Sequence, residues 1–170
     1  MLDNLKIALE QFRDTVVNES KKNLQGAKKI SSGTLYNSIK GSEVKVSKNS
    51  IQFNIEMEEY GNYVDKGVNG KKSAFTTPYS YKDKMPPPSA LDKWIVKKGI
   101  APRDEKGKFI SRKSLQFLIA RSIFNNGFKP TLFFTKPFEK EYKKLESQLD
   151  TILFKDAEDM IQFIAKQNRK

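Results

Sequence analysis

The sequence predicts an α+β fold, because helical and strand periodicities occupy different segments of the chain. Apolar residues recur at helical spacing over residues 3–24, alternate with polar residues over 43–58, and recur at helical spacing over 136–168. A chain of 170 residues is long enough to bury one core, so we expect residues 1–170 to form a single domain. The expected architecture is an N-terminal amphipathic helix, an antiparallel β-hairpin or small sheet, several helices and a long C-terminal helix.

The N-terminal segment is predicted to form one amphipathic helix. Leu5, Leu9 and Phe12 follow spacings of four and three, which places them on one helical face. Asp3 is the expected N-cap, since a carboxylate there accepts hydrogen bonds from free backbone N–H groups. A short helical turn is expected over residues 31–39.

Strand periodicity predicts a β-hairpin over residues 43–58. Ile51, Phe53 and Ile55 alternate with polar residues, which is the pattern of a half-buried sheet. The polar cluster Ser47–Ser50 is the expected turn between the two strands.

Glycine and tyrosine residues dominate the middle of the chain. Residues 60–72 (YGNYVDKGVNGKK) are interpreted as a short strand or turn that leads into a mobile basic loop over 66–84. The consecutive prolines Pro86, Pro87 and Pro88 then predict a rigid extended stop.

Three further helical segments are predicted after the prolines. The first covers residues 89–99 and the second 111–127, each with a serine at its start and a glycine at its end. The third is the long C-terminal helical extension 136–168, whose apolar pattern slips by one residue near Asp156. Either one helix bends there, or Asp156 caps a second helix; an unbroken helix would be about 50 Å long.

The composition excludes several classes of chemistry. The chain contains no Cys and no His, which excludes disulfides, thiolate nucleophiles and the most common zinc ligands and general base. No glycine-rich phosphate-binding motif occurs, so we expect no nucleotide site, no cofactor and no metal. No segment has the pattern of a secretory signal or a membrane span, so we expect a soluble intracellular protein.

The densest group of acidic residues has two interpretations. Glu56, Glu58, Glu59 and Asp65 would form a carboxylate site for Mg²⁺ or for acid–base catalysis if they converged. Glu56 and Glu58 fall on one face of the predicted strand, however, and no nucleophile or base occurs at a recognisable spacing. We therefore interpret them as a solvated strand face, and we expect a protein that is not an enzyme.

A basic region follows the predicted loop. Residues 82–113 contain ten Lys and Arg against four Asp and Glu, and the whole chain has a net charge of +12. Such a surface binds phosphates without sequence readout, or binds an acidic protein, although it also occurs as a solubilising face. The predicted patch for DNA or an acidic partner consists of Lys82, Lys84, Lys93, Lys97, Lys98, Arg103, Arg112 and Lys113.

Four short runs, taken in order, resemble the head–tail joining and tail-completion proteins of tailed bacteriophages, which form the neck ring. Ser32–Ile39 (SGTLYNSI) is similar to the family pattern TG-x-L-x-x-S-I, and Tyr60–Gly67 (YGNYVDKG) to YA-x-Y-V-x-x-G. Pro86–Gly99 is similar to a segment of phage neck proteins, and Gly127–Phe134 (GFKPTLFF) to G-x-x-P-T-x-F. The runs depart from these patterns at Ser32, where threonine is usual, and at Gly61, where alanine is common.

This resemblance implies a structural virion protein. Such a protein assembles in the host cytoplasm as a homo-oligomeric ring of the neck, where it joins the portal or an adaptor protein to tail proteins around the channel that holds genomic DNA. It implies no membrane contact. The subtype stays open between a tail-completion protein of a long-tailed phage and a ring protein of a crAss-like short-tailed phage.

Exposed aromatic residues are the expected contacts with such partners, because aromatic side chains dominate interface cores. The partner-interface residues predicted on this basis are Phe75, Tyr79, Tyr81 and Trp94. For the first three of these, the alternative is packing over the protein's own hairpin. A non-specific nucleic-acid-binding protein is the second functional hypothesis.

Overall fold

The computed structural model describes residues 2–27, 32–47 and 50–167 and confirms the α+β fold class. The chain divides into two compact units: unit 1 comprises Met1–Glu58 and Phe133–Lys170, and unit 2 comprises Glu59–Leu132. The single domain predicted over residues 1–170 stays a prediction.

Unit 1 is organised around two long helices, α1 (Asp3–Gly26) and α6 (Thr135–Gln167). Hydrogen bonds join residues near the start of α1 to Asp156 and one near its end to Phe133, so the helices are antiparallel. Both helices are amphipathic and pack together through their apolar faces. The predicted extension 136–168 is therefore one unbroken helix as far as Gln167, and residue 168 lies outside the described residues.

An aromatic cluster fills the space between these helices. Phe12 of α1 is buried, and its ring centroid lies 5.6 Å from that of Phe138 on α6. The Phe12 ring also lies 6.0 Å from the ring of Phe53, in an edge-on arrangement that aromatic pairs favour. Val16 and Leu24 continue the same face of α1, and both are fully buried.

The start of α1 is capped by a residue of α6. The helix begins at Asp3 with Leu2 in the N-cap position, so the prediction that Asp3 is the N-cap was wrong. The Asp156 carboxylate instead accepts hydrogen bonds from the backbone N–H groups of Asn4, at 2.9 Å, and Leu5, at 3.0 Å. Of the two alternatives at Asp156, the unbroken helix is thus correct, because this carboxylate caps α1 rather than a second C-terminal helix.

The environment of Asp156 sets its charge state. Burial raises the pKa of the Asp156 carboxyl group, but hydrogen bonds from the Asn4 and Leu5 backbone and from the Asn4 side chain outweigh that effect and lower the pKa below its ordinary value. Asp156 is therefore ionised at neutral pH, as a cap at a helix N-terminus should be.

The predicted hairpin is present but longer and interrupted. Strand β1 (Lys40–Gly41) pairs antiparallel with β4 (Ile55–Glu56), and β2 (Lys45–Val46) pairs with β3 (Ile51–Gln52). Between these two pairs of strands, residues 42–44 lie opposite residues 53–54. The first arm thus has one extra residue, as in a β-bulge. Residues 48 and 49 of the predicted turn lie outside the described residues.

A short helix, α2 (Thr34–Ser38), connects α1 to the hairpin. It falls within the helical turn predicted over 31–39, of which residue 31 lies outside the described residues. Gly33 precedes the helix with φ of 84°, a left-handed conformation that glycine adopts without strain. Leu35 and Ile39 are buried, so this segment contributes to the core of unit 1.

Unit 2 begins with a helix where the sequence predicted a strand or turn. Helix α3 spans Gly61–Lys66. At its start the N–H of Asn62 donates to the Glu59 carbonyl and the N–H of Tyr63 donates to the Tyr60 carbonyl. This helix replaces the predicted strand or turn, since tertiary contacts override a weak local preference. Asp65 is almost completely buried on this helix.

The other helices of unit 2 match the predicted segments. A 3₁₀ turn (Pro88–Leu91) leads into α4 (Asp92–Lys97), and α5 spans Arg112–Asn126. The Ser111 hydroxyl caps α5 by accepting a hydrogen bond from the Ser114 N–H at 3.1 Å. The side chain of Gln116 on α5 donates to Asp92 of α4 at 2.6 Å.

Candidate interaction surfaces

Aromatic side chains line a groove in unit 2. Its volume is about 570 Å³, within the range of about 300–1,000 Å³ typical of pockets that hold ligands. It is lined by Tyr63, Val68, Pro78, Tyr79, Ser80, Tyr81, Lys82 and Phe128. We call these eight residues the aromatic groove.

Backbone hydrogen bonds fix two walls of this groove. The Asn69 N–H donates to the Tyr79 carbonyl at 2.8 Å, and the Tyr81 N–H donates to the Asn69 carbonyl at 2.9 Å. Val68 and Phe128 exchange both of their backbone hydrogen bonds, at 3.0 and 2.8 Å. Backbone hydrogen bonds therefore hold the groove in place, although none of its residues lies in a regular β-strand.

Glycines allow this close pairing of backbones. A Cβ atom on Gly127 would lie 2.0 Å from the Val68 carbonyl oxygen, and one on Gly67 would lie 2.6 Å from the Phe128 carbonyl oxygen. Both glycines also have positive φ, of 65° and 73°. A larger residue at either position would push apart the segments that carry the groove.

Ring contacts position the tyrosines. The Tyr63 ring of α3 lies 4.5 Å from the Tyr79 ring, and the Tyr81 ring lies 6.3 Å from that of Phe124 on α5. Burial raises the pKa of the Tyr81 phenol above its ordinary value, so this hydroxyl, which is protonated at neutral pH in any case, remains a hydrogen-bond donor in mildly basic solution as well.

The groove contains two of the four predicted interface residues. Tyr79 and Tyr81 line it, whereas Phe75 does not, and the backbone N–H of Phe75 donates to the Asn69 side chain. Trp94 lies on α4 with 38% of its surface exposed. Their role in binding a partner stays a prediction, as does the mobility of the loop 66–84.

Sequence reasoning missed the opposite wall of the groove. Tyr63 and Phe128 were not among the predicted interface residues, although each belongs to one of the four runs that resemble phage neck proteins. Membership in these runs was the one sequence feature that could have pointed to Tyr63 and Phe128. Nothing in the sequence, however, showed that the second and fourth runs lie next to each other in the fold.

The predicted basic patch lies entirely in unit 2. Unit 2 contains 15 Lys and Arg residues against 6 Asp and Glu, a net charge of +9, which leaves +3 for unit 1. Lys82 lines the aromatic groove, whereas Arg103 stacks on Phe109 at 3.8 Å and Arg112 lies 3.8 Å from Asp92. All eight residues of the patch are exposed, and their binding to DNA or an acidic protein stays a prediction.

A second surface is the apolar end of α6, which we define as residues 160–167. Helix α6 has 33 residues and α1 has 24, and a hydrogen bond from Asn4 to Asp159 marks where α1 begins alongside α6. The residues of α6 beyond Asp159 extend past that point. Four large apolar side chains there are 42–67% exposed: Met160, Ile161, Phe163 and Ile164.

The structure places the predicted acidic residues of the hairpin at the surface. Glu56 and Glu58 are exposed, and Glu56 lies 3.5 Å from the Lys40 ammonium group. Within residues 2–27, 32–47 and 50–167, no group of three or more His, Cys, Asp and Glu side chains has an arrangement that would hold a metal ion. None of the helices in this part of the chain is both long enough and apolar enough to cross a membrane.

No family model, curated protein or solved structure matches this chain.

Proposed function

We propose that this chain is a structural virion protein that forms a ring in the neck of a tailed bacteriophage. The ring joins the portal or an adaptor protein to tail proteins around the DNA channel. Its function in this proposal is to contribute surface for assembly in the host cytoplasm, without turnover of a substrate.

The observation that carries the proposal is the apolar end of α6. Its four large apolar side chains remain 42–67% exposed, and burying them would be favourable at about 25 cal/mol for each Å² removed from water. Contiguous exposed apolar side chains of this kind mark interaction sites on soluble proteins. A subunit of a larger assembly would bury such a surface against another subunit.

The positions of the four runs that resemble neck proteins also support the proposal. The second and fourth runs meet, because the Thr131 hydroxyl donates to the Val64 carbonyl at 2.7 Å and the Leu132 N–H donates to the Asp65 carbonyl at 2.9 Å. The first run provides the buried residues Leu35 and Ile39. Several of the similar residues in these three runs therefore hold the fold together.

Co-assembly with a portal protein tests the proposal. The full chain would be mixed with the purified portal of the same phage, and the product would be examined by native mass spectrometry and negative-stain electron microscopy. We expect rings of this chain stacked on the portal. A chain that stays monomeric and does not bind the portal would contradict the proposal.

The charge of unit 2 favours a second candidate function, non-specific binding of nucleic acid. Unit 2 has a net charge of +9, and basic residues that bind phosphates displace the counterions of the nucleic acid. The affinity for DNA should therefore fall steeply as the salt concentration rises. This function is compatible with a ring that surrounds DNA.

A mobility shift with double-stranded DNA tests this second function. The triple variant Lys93→Glu, Lys97→Glu and Lys98→Glu should weaken binding and flatten its salt dependence. The matched control introduces the same charge change on α6, at Lys136, Lys143 and Lys155, and should bind more tightly than the first variant. Equal losses in both variants would exclude a binding surface at the patch.

A further inference from the structure

We propose that the apolar end of α6 in one copy of this chain docks into the aromatic groove of the neighbouring copy. This inference rests on the proposed ring and names the interface that forms it. The occupant of the groove is a second copy of the same chain, and the contact joins two different surfaces.

The two surfaces match in chemistry and are both exposed in the same chain. The α6 end presents Ile161, 67% exposed, and Phe163, 60% exposed. The groove presents four aromatic rings around a volume of about 570 Å³, enough for anchoring side chains of this kind. Tyr63 and Phe128 at its walls are themselves 43% and 42% exposed, so these rings are also left for another molecule to cover.

Electrostatics favour this contact through the acidic residues that directly precede the α6 end. Within residues 158–167 the charged residues are Glu158, Asp159 and Lys166, whereas unit 2 has a net charge of +9. Glu158 is exposed just before the α6 end, and Lys82 lines the groove.

Such a contact can be repeated from copy to copy around a ring. Because each copy offers one α6 end and one groove, the interface is heterologous, and every copy uses both surfaces. A heterologous contact produces a closed ring when its rotation closes, and an open filament when it does not.

Complementation between two variants tests the interface. Ile161→Asp disables the α6 end and leaves the groove intact, and Phe128→Asp does the reverse. Each variant alone should lose the wild-type oligomer, with affinity lowered about 100-fold or more because a charge enters an apolar contact. An equimolar mixture should form a one-to-one dimer and nothing larger, since only one functional contact remains.

Matched controls separate the interface from general effects of a new charge. Ile7→Asp on α1 and Val96→Asp on α4 replace apolar side chains that are 51% and 55% exposed, and both variants should assemble like wild type. A second pair, Phe163→Asp and Tyr63→Asp, repeats the complementation, and circular dichroism with thermal unfolding verifies that every variant is folded.

Several results would overturn the interface, and they differ from failure of the proposed function. If Phe128→Asp assembled alone, α6 ends would be pairing with each other. If the mixture gave no dimer, or if both variants kept the wild-type oligomer, the contact would lie elsewhere while the ring itself remained. If wild type neither assembled nor bound a portal, the neck function would fail together with its interface.

Discussion

The two units of this chain are stabilised in different ways. Unit 1 buries aromatic and aliphatic side chains between two long helices, and its net charge is only +3. Unit 2 has shorter helices and a net charge of +9, and its loops are held by backbone pairing such as that of Val68 with Phe128. The comparison shows how one chain can present an apolar helix end and a basic aromatic groove at once.

The residues that are buried in each unit reflect this difference. Among the described residues, the buried apolar side chains of unit 1 are Phe12, Val16, Leu24, Leu35, Ile39, Val44 and Phe133. Those of unit 2 are Val68, Ile95, Leu115 and Ala120. We therefore expect unit 1 to be most sensitive to loss of side-chain volume and unit 2 to changes at its glycines.

The largest expected effect is loss of a core side chain in unit 1. Phe133 is 1% exposed, so Phe133→Ala should lower the free energy of unfolding by about 3–5 kcal/mol through lost burial and a new cavity. Phe154→Ala is the control, because Phe154 is 65% exposed and its loss should cost about 0.5 kcal/mol or less. Urea unfolding of the two variants measures this difference, and equal losses would contradict the assignment of the core.

The next effect concerns backbone approach in unit 2. Gly127→Ala should lower the free energy of unfolding by about 3 kcal/mol, since its Cβ would lie 2.0 Å from the Val68 oxygen at a positive φ. Gly99 also has positive φ, but nothing lies within 4 Å of a Cβ there, so Gly99→Ala should cost only about 1 kcal/mol. Thermal unfolding compares the two, and a smaller loss at Gly127 than at Gly99 would show that the close approach is absent.

A smaller effect is expected where α6 caps α1. Asp156→Ala removes three hydrogen bonds to Asn4 and Leu5 and should cost about 2 kcal/mol at neutral pH. Asp150→Ala removes an equal charge from an exposed position of the same helix and should cost about 0.5 kcal/mol or less.

The cost of losing Asp156 should also depend on pH. Because folding lowers the pKa of this carboxyl group, its stabilisation is complete above the unfolded value of about 3.9 and disappears as the pH falls through the lower folded value. The difference in unfolding free energy between wild type and Asp156→Ala should therefore shrink in strongly acidic solution. A difference that grew on acidification would contradict the cap.

In both units the sequence predicted the features that depend on local spacing and missed those that depend on distant residues. Helical and strand periods follow from local spacing, so α1 and the extent of α6 in unit 1, and α5 in unit 2, could be predicted from apolar residues alone. The cap of α1 by Asp156 could not, because it joins residues about 150 positions apart.

The candidate surfaces were predictable only in part. Tyr79 and Tyr81 stand out as aromatic residues in a basic segment, but the groove also needs Tyr63 and Phe128, which tertiary pairing brings to it. Helix α3 was missed for the same reason. The exposure of the α6 end depends on where α1 begins alongside it, which periodicity does not reveal.

The most direct test of the central claim is the mass distribution of the full-length chain, measured alone by native mass spectrometry as its concentration increases. We predict a transition from the single chain to one discrete multiple, because a heterologous contact that closes gives one ring size. A chain that remains single at all concentrations, or that forms an unlimited series of polymers, would contradict the claim that these two surfaces build a ring.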